Sequence, residues 1–119
     1  SYLYHLILER MMAIYQMKYS FDWGSRILLW STNEAAEIKF GYAVDVSQLP
    51  ISHKLKDLLW YLVAYYDTML DMDNAPAISP WWTDEDELMF NKKQKFAYAQ
   101  LCQELGKEYE IIYAAENCI

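Results

Sequence analysis

The chain has 119 residues, with 10 Lys and Arg against 17 Asp and Glu, for a formal net charge of −7, a balance that argues against nucleic acid or an anionic membrane as a direct partner. Hydrophobic residues reach 55%, much of it eleven Tyr, five Trp and four Phe, and with no run of about eighteen apolar residues a membrane span is excluded. Three Gly, three Pro and long helical periodicities exclude collagen-like, low-complexity and disordered chains.

We read residues 1–119 as a single domain, long enough to bury about two thirds of its extended surface. Residues 1–11 read as an N-terminal extension: Leu3, Leu6, Ile7 and Arg10 allow a short helix before Met11 and Met12, either of which is a candidate start. Tyr2–Leu8 lacks the preceding basic region and the following small-residue site of an export signal. Cys102 and Cys118 do not have the spacing of a disulfide framework or a metal knuckle. A reducing cytoplasm is the expected location.

From Ala13 the pattern has period two, with Tyr15, Met17, Tyr19 and Phe21 on one face, which predicts a half-buried strand. Asp22, Trp23, Gly24 and Ser25 make a turn, and Ile27–Trp30 returns as its antiparallel partner. Ser31 or Asn33 caps a short helix from Glu34 to Phe40, which Gly41 ends in a left-handed conformation. After Pro50, Ser52 caps the longest periodic segment: Leu55, Leu58, Leu59, Leu62, Val63, Tyr66, Met69 and Leu70 recur at helical spacing. Asp71–Trp82, with Pro76 and Pro80, reads as an irregular loop. Thr83, with Asp86 three residues on, opens a third helix that Gly106 closes, and Tyr109–Ala115 reads as a third strand. The predicted fold is α+β: a small, mainly antiparallel sheet of about three strands with three helices packed on it.

Little in this sequence carries catalytic chemistry. His5 and His53 have no second ligand at helical spacing, and the glycines at 24, 41 and 106 stand alone, so neither a metal site nor a phosphate cradle is expected. No cofactor is expected either. Cys102 reads as a core cysteine rather than a nucleophile with His53 as its base.

Charge segregation is the strongest signal. Asp57, Asp67, Asp71, Asp73, Asp84, Glu85, Asp86 and Glu87 occur between Asp57 and Asn91 until the first Lys at position 92. On the long helix Asp57, Trp60, Tyr61, Ala64, Asp67 and Asp71 form a stripe opposite the leucines. Trp60 and Tyr61 would then stand in water among acids, as anchors of a binding surface do. The loop adds Trp81 and Trp82. Each feature has a second reading: Asp84–Glu87 as acids favoured at a helix start, Trp81 and Trp82 as covers of the core where the loop crosses it, and Trp60 and Tyr61 as rings buried against the third helix.

Three strings, DWGSRILLWS (Asp22–Ser31), KFGYAVDVSQLPIS (Lys39–Ser52) and YYDTMLDMDNAPAISPWW (Tyr65–Trp82), resemble small bacterial proteins encoded beside secreted toxins. These are the immunity proteins of contact-dependent growth inhibition and related polymorphic toxin systems. The resemblance runs from Met17 to Ala115. It implies a cytoplasmic protein without enzymatic activity that binds a cognate toxin and blocks it, many such toxins being nucleases. Asp67, Asp71, Asp73 and Trp81 lie in the shared strings, whereas Asp84–Glu87 do not. A nuclease needs a basic groove for phosphates, which an acidic, aromatic surface complements.

The expectation is therefore an immunity protein that occludes a basic toxin with Asp57, Trp60, Tyr61, Asp67, Asp71, Asp73, Trp81, Trp82 and the Asp84–Glu87 run. A rival of another class is a small cytoplasmic enzyme or ligand-binding domain that uses a pocket carboxylate of raised pKa. A third reading is a homo-oligomer that buries the aromatic face against its own copy.

Overall fold

Alternation sets the first element. In the computed structural model, which describes residues 1–5, 13–71, 73 and 78–115, the period-two segment forms strand β1, Tyr15–Tyr19, with Met17 and Tyr19 buried and Lys18 exposed between them. The chain turns back as β2, Leu29–Ser31, antiparallel to β1 with Met17 opposite Ser31. On the outer side of β2 an antiparallel bridge joins Trp30 to Ala43. Strand β3, Tyr109–Tyr113, pairs with the other edge of β1, giving the order β2-β1-β3. β3 runs parallel to β1, Tyr15 facing Tyr109 and Tyr19 facing Tyr113. That direction follows from its connection: helices intervene, and a crossover delivers the strand to the end where β1 begins, which no tight hairpin can do.

Three helices complete the α+β fold. α1, Glu34–Phe40, starts at Asn33, whose side chain accepts from the Ala36 N–H. Asn33 also donates to the Ile14 carbonyl and accepts from the Gln16 N–H, so the cap ties α1 to β1. A short 3-10 turn, Val46–Gln48, precedes α2, His53–Asp67, which Ser52 caps by accepting from the Leu55 N–H. α3, Asp84–Leu105, opens with a reciprocal capping box between Thr83 and Asp86. Gly41 and Gly106 end α1 and α3 at φ +81° and +76°. Their ψ values, 172° and −160°, are extended rather than left-handed helical, a backbone region open essentially to glycine alone.

α2 and α3 pack antiparallel, as three pairs of contacts show: Ser52 with Glu104, Tyr61 with Lys93 and Tyr65 with Asp86. Each gives the core one stripe at helical spacing, Leu55, Leu59, Leu62, Val63 and Tyr66 from α2 and Phe90, Gln94, Ala97, Leu101 and Leu105 from α3. They meet Met17, Tyr19, Leu29 and Ile111 of the sheet in one buried cluster. Phe21, Tyr66 and Phe90 join sheet end and helices through ring contacts of 5.1 to 5.6 Å. The Tyr19 hydroxyl, fully buried, donates to the Gln94 carbonyl at 2.9 Å.

α2 is shorter than its periodicity suggests. Met69 stays buried, but the helix ends at Asp67 because the Thr68 hydroxyl donates to the Tyr65 carbonyl and Ser79 N–H bonds Met69 O. Short polar side chains offer the backbone such alternatives. Asp71 therefore follows the helix rather than lying on it. Of the N-terminal piece only residues 1–5 are described, helical over residues 2–5 and exposed. Residues 6–12, Pro76 and Cys118 lie outside the described residues. Among the described helices none is long and apolar enough to cross a membrane.

Candidate partner-binding surface

The exposed crest of α2 carries Asp57, Trp60, Tyr61 and Ala64 in solvent, and Asp67 half-buried at its end. Trp60 is 43% and Tyr61 47% exposed, so both rings keep large apolar faces in water. Successive positions on a helix diverge, and these two lean to opposite flanks. Trp60 borders a cleft of about 300 Å3 with Arg26, Val46 and Val63. Tyr61 turns to α3, where its hydroxyl lies 3.3 Å from Lys93 Nζ and its ring stacks on Tyr65 at 5.9 Å.

The end of the molecule where α2 stops and α3 starts collects the other seven acids predicted for the surface. Asp67 accepts from the Gly24 N–H at 3.1 Å, and Asp71 accepts from the Asp73 N–H at 3.0 Å. An antiparallel bridge pairs Leu70 with Ile78 beside this end. Asp73, Asp84 and Glu85 are exposed, and Asp86 and Glu87 are half-buried. Asp86 serves as a cap: the Thr83 backbone N–H and hydroxyl beside it hold its carboxyl below the usual aspartate range. Burial, then the nearby Asp86 carboxylate, push the Tyr65 phenol up.

The two adjacent tryptophans separate. Trp81 is 68% exposed. Trp82 packs on the core with its ring 5.2 Å from Tyr65 and 6.5 Å from Phe90. Twelve residues were expected on one surface. The structure gathers Asp67, Asp71, Asp73, Trp81 and Asp84–Glu87 at one end. Asp57 and Trp60 lie farther along α2, ten residues or about 15 Å from Asp67 in the case of Asp57.

Two features of this surface carry no marked sequence signal. Arg26 stands beside Trp60 with φ +64°, a left-handed backbone that costs a non-glycine residue roughly 1–2 kcal/mol. An apolar groove of about 560 Å3 runs between α2 and α3, with Leu58, Met89 and Phe96 among its walls and Lys54, Lys92 and Lys93 on its rim. Met89, Lys92, Lys93 and Phe96 recur at three- and four-residue spacing on a second face of α3, a pattern that reads as solvated charge when the partner helix is unknown. The carboxylates of these two concavities are already engaged. Glu104 accepts from the Ser52 N–H and hydroxyl at 2.6 and 3.0 Å. Asp45 accepts from the Ser47 N–H, and its contacts with Ser47 lower its pKa rather than raise it.

Comparison with known proteins gives one family. The model of the CdiI_serr family, described as Serratia CdiI immunity protein-like, matches residues 15–116, which span β1 to β3 and α1 to α3. No curated protein matches the chain.

Proposed function

The chain belongs to the Serratia CdiI immunity protein-like family, and from that premise we propose that it neutralises a cognate secreted toxin, a basic nuclease, by covering it in the cytoplasm with its acidic and aromatic surface. The observation that supports this surface over others is the gathering of Asp67, Asp71, Asp73, Asp84 and Glu85 at one end of the helix pair beside the exposed Trp81. Acids on the rim steer a basic partner toward the site, and large rings supply the apolar contact once water is excluded. In this reading the chain has no reaction of its own, holds no metal or cofactor, and touches neither nucleic acid nor membrane. It acts by occupying the toxin.

The test is a kinetic titration of the purified chain against the toxic domain encoded beside it, with nucleic-acid cleavage followed in parallel. The reading expects a stoichiometric complex that abolishes cleavage and forms more slowly as salt rises. Binding by the neighbouring toxin with no salt dependence would remove the acidic end from the interface. Failure to bind that toxin at all would remove the function.

A further inference from the structure

The groove between α2 and α3 shares only Tyr61 with the acidic and aromatic surface, and its chemistry is the reverse. Its walls are apolar, with Phe96 59% and Met89 40% exposed. Lys54, Lys92 and Lys93 rim it in a chain whose formal charge is −7. Glu104 also lines it but is bonded twice to Ser52, so its charge is directed at the α2 cap. Lys93 keeps Tyr61 in place, its Nζ 5.1 Å from the ring centroid.

The placement of the lysines selects the occupant. Because the helices are antiparallel, Lys54 stands at the Ser52–Glu104 end and Lys92 and Lys93 toward the other. Lys54 and Tyr61, the partner of Lys93, are seven positions apart on α2, which is about 10 Å along the groove. Cations spread over that length suit several carboxylates in a row better than a single anionic headgroup. A second copy of the same groove is disfavoured, since a two-fold contact would set lysines against lysines. We propose that this groove docks an acidic amphipathic helix of a partner protein, its apolar stripe on Leu58, Met89 and Phe96 and its carboxylates on Lys54, Lys92 and Lys93. This is the helix-in-groove mode, in which apolar anchors give affinity and flanking charge gives selectivity. Met and Phe on the walls suit it, one ring being rigid and one thioether adaptable. The site goes beyond the toxin-neutralising surface and does not depend on it.

The experiment uses the full chain and two labelled peptides of about 14 residues that share leucines at i, i+3, i+4 and i+7 and differ in flanks of Glu or Lys. Fluorescence anisotropy is expected to show micromolar binding of the Glu peptide and at least tenfold weaker binding of the Lys peptide. Lys54→Glu with Lys92→Glu should reverse that preference, and Phe96→Ser should abolish binding of both. Lys54 lies in the first turn of α2, where an acid is favoured, and Lys92 and Phe96 are exposed, so circular dichroism should show all three folded. Equal binding of the two peptides, a preference that survives the double reversal, or no binding of the Glu peptide at about 1 mM overturns the proposal.

Discussion

Asp67, the last residue of α2, accepts a 3.1 Å hydrogen bond from the backbone N–H of Gly24 in the turn between β1 and β2. An acid proposed for partner contact thus also holds a turn that places Trp23 on Tyr66, with ring centroids 5.7 Å apart. The two roles separate by substitution. Asp67→Asn keeps the acceptor and removes the charge, so the melting temperature should stay near that of the parent while toxin association slows. Asp67→Ala loses the bond, about 0.5–1.5 kcal/mol, which lowers the melting temperature by several degrees. Equal melting temperatures for the two variants would show that the bond holds nothing.

Steering is tested best with acids whose carboxylates stand in solvent. Asp73, Asp84 and Glu85 are exposed. Changing them together to Asn, Asn and Gln should reduce the association rate several-fold at low salt and flatten its salt dependence, with dissociation little changed. Stopped-flow association at two ionic strengths reads both. An unaltered rate assigns the steering elsewhere.

Trp81 and Trp82 should respond oppositely to truncation. Trp82 touches Tyr65 and Phe90, so Trp82→Ala is expected to cost about 2–3 kcal/mol of folding stability, less than a fully buried ring. Trp81→Ala should change stability by less than about 0.5 kcal/mol and weaken toxin binding by more than about 1 kcal/mol. Denaturant titration and binding calorimetry on the same two variants separate the effects.

The Thr83–Asp86 box predicts an acid-side dependence. The folded carboxyl of Asp86 titrates below its unfolded value, so its contribution is full above the unfolded pKa, near pH 4, and is lost as pH falls through the lower folded value. The gap between the stability curves of the parent and Asp86→Asn should therefore be constant above about pH 4 and close as pH falls below it. Thr83→Ala should cost about 1 kcal/mol at neutral pH. A gap that stays unchanged down to strongly acid pH would contradict the capping account.

What could be read in the sequence was what local chemistry decides. Ser52, Thr83 with Asp86, and the glycines at 41 and 106 mark helix ends because each acts on its own neighbours within a turn. A period of two marks β1 and a period of 3.6 marks α2, while β2 and β3 show as short runs of apolar and Tyr/Ile-rich residues beside turn or cap signals. The direction of β3 did not show, because it depends on where a 22-residue helix sets the chain down. The end of α2 did not show either, since Thr68 had to be seen turning its hydroxyl onto Tyr65. In the candidate site, the leucine stripe set Trp60 and Tyr61 on the opposite side of α2 but left open whether the third helix covers them. Their exposure and their divergence were not legible, because both depend on what packs along each flank. The groove stayed hidden for the same reason: Lys92, Lys93 and Phe96 acquire a common purpose only when Leu58 of another helix stands across from them.

The pairing of Tyr15 with Tyr109 has a consequence in time. During synthesis the first hairpin can close as soon as Ser31 has left the ribosome, but one side of β1 waits until Tyr109–Tyr113 has followed. At about 5–20 residues per second that delay is several seconds or more. Contacts of such long sequence separation also slow folding after release. Under the proposed function, protection against an arriving toxin would rest on molecules made beforehand, since a chain not yet translated as far as Tyr113 lacks the strand that completes its sheet.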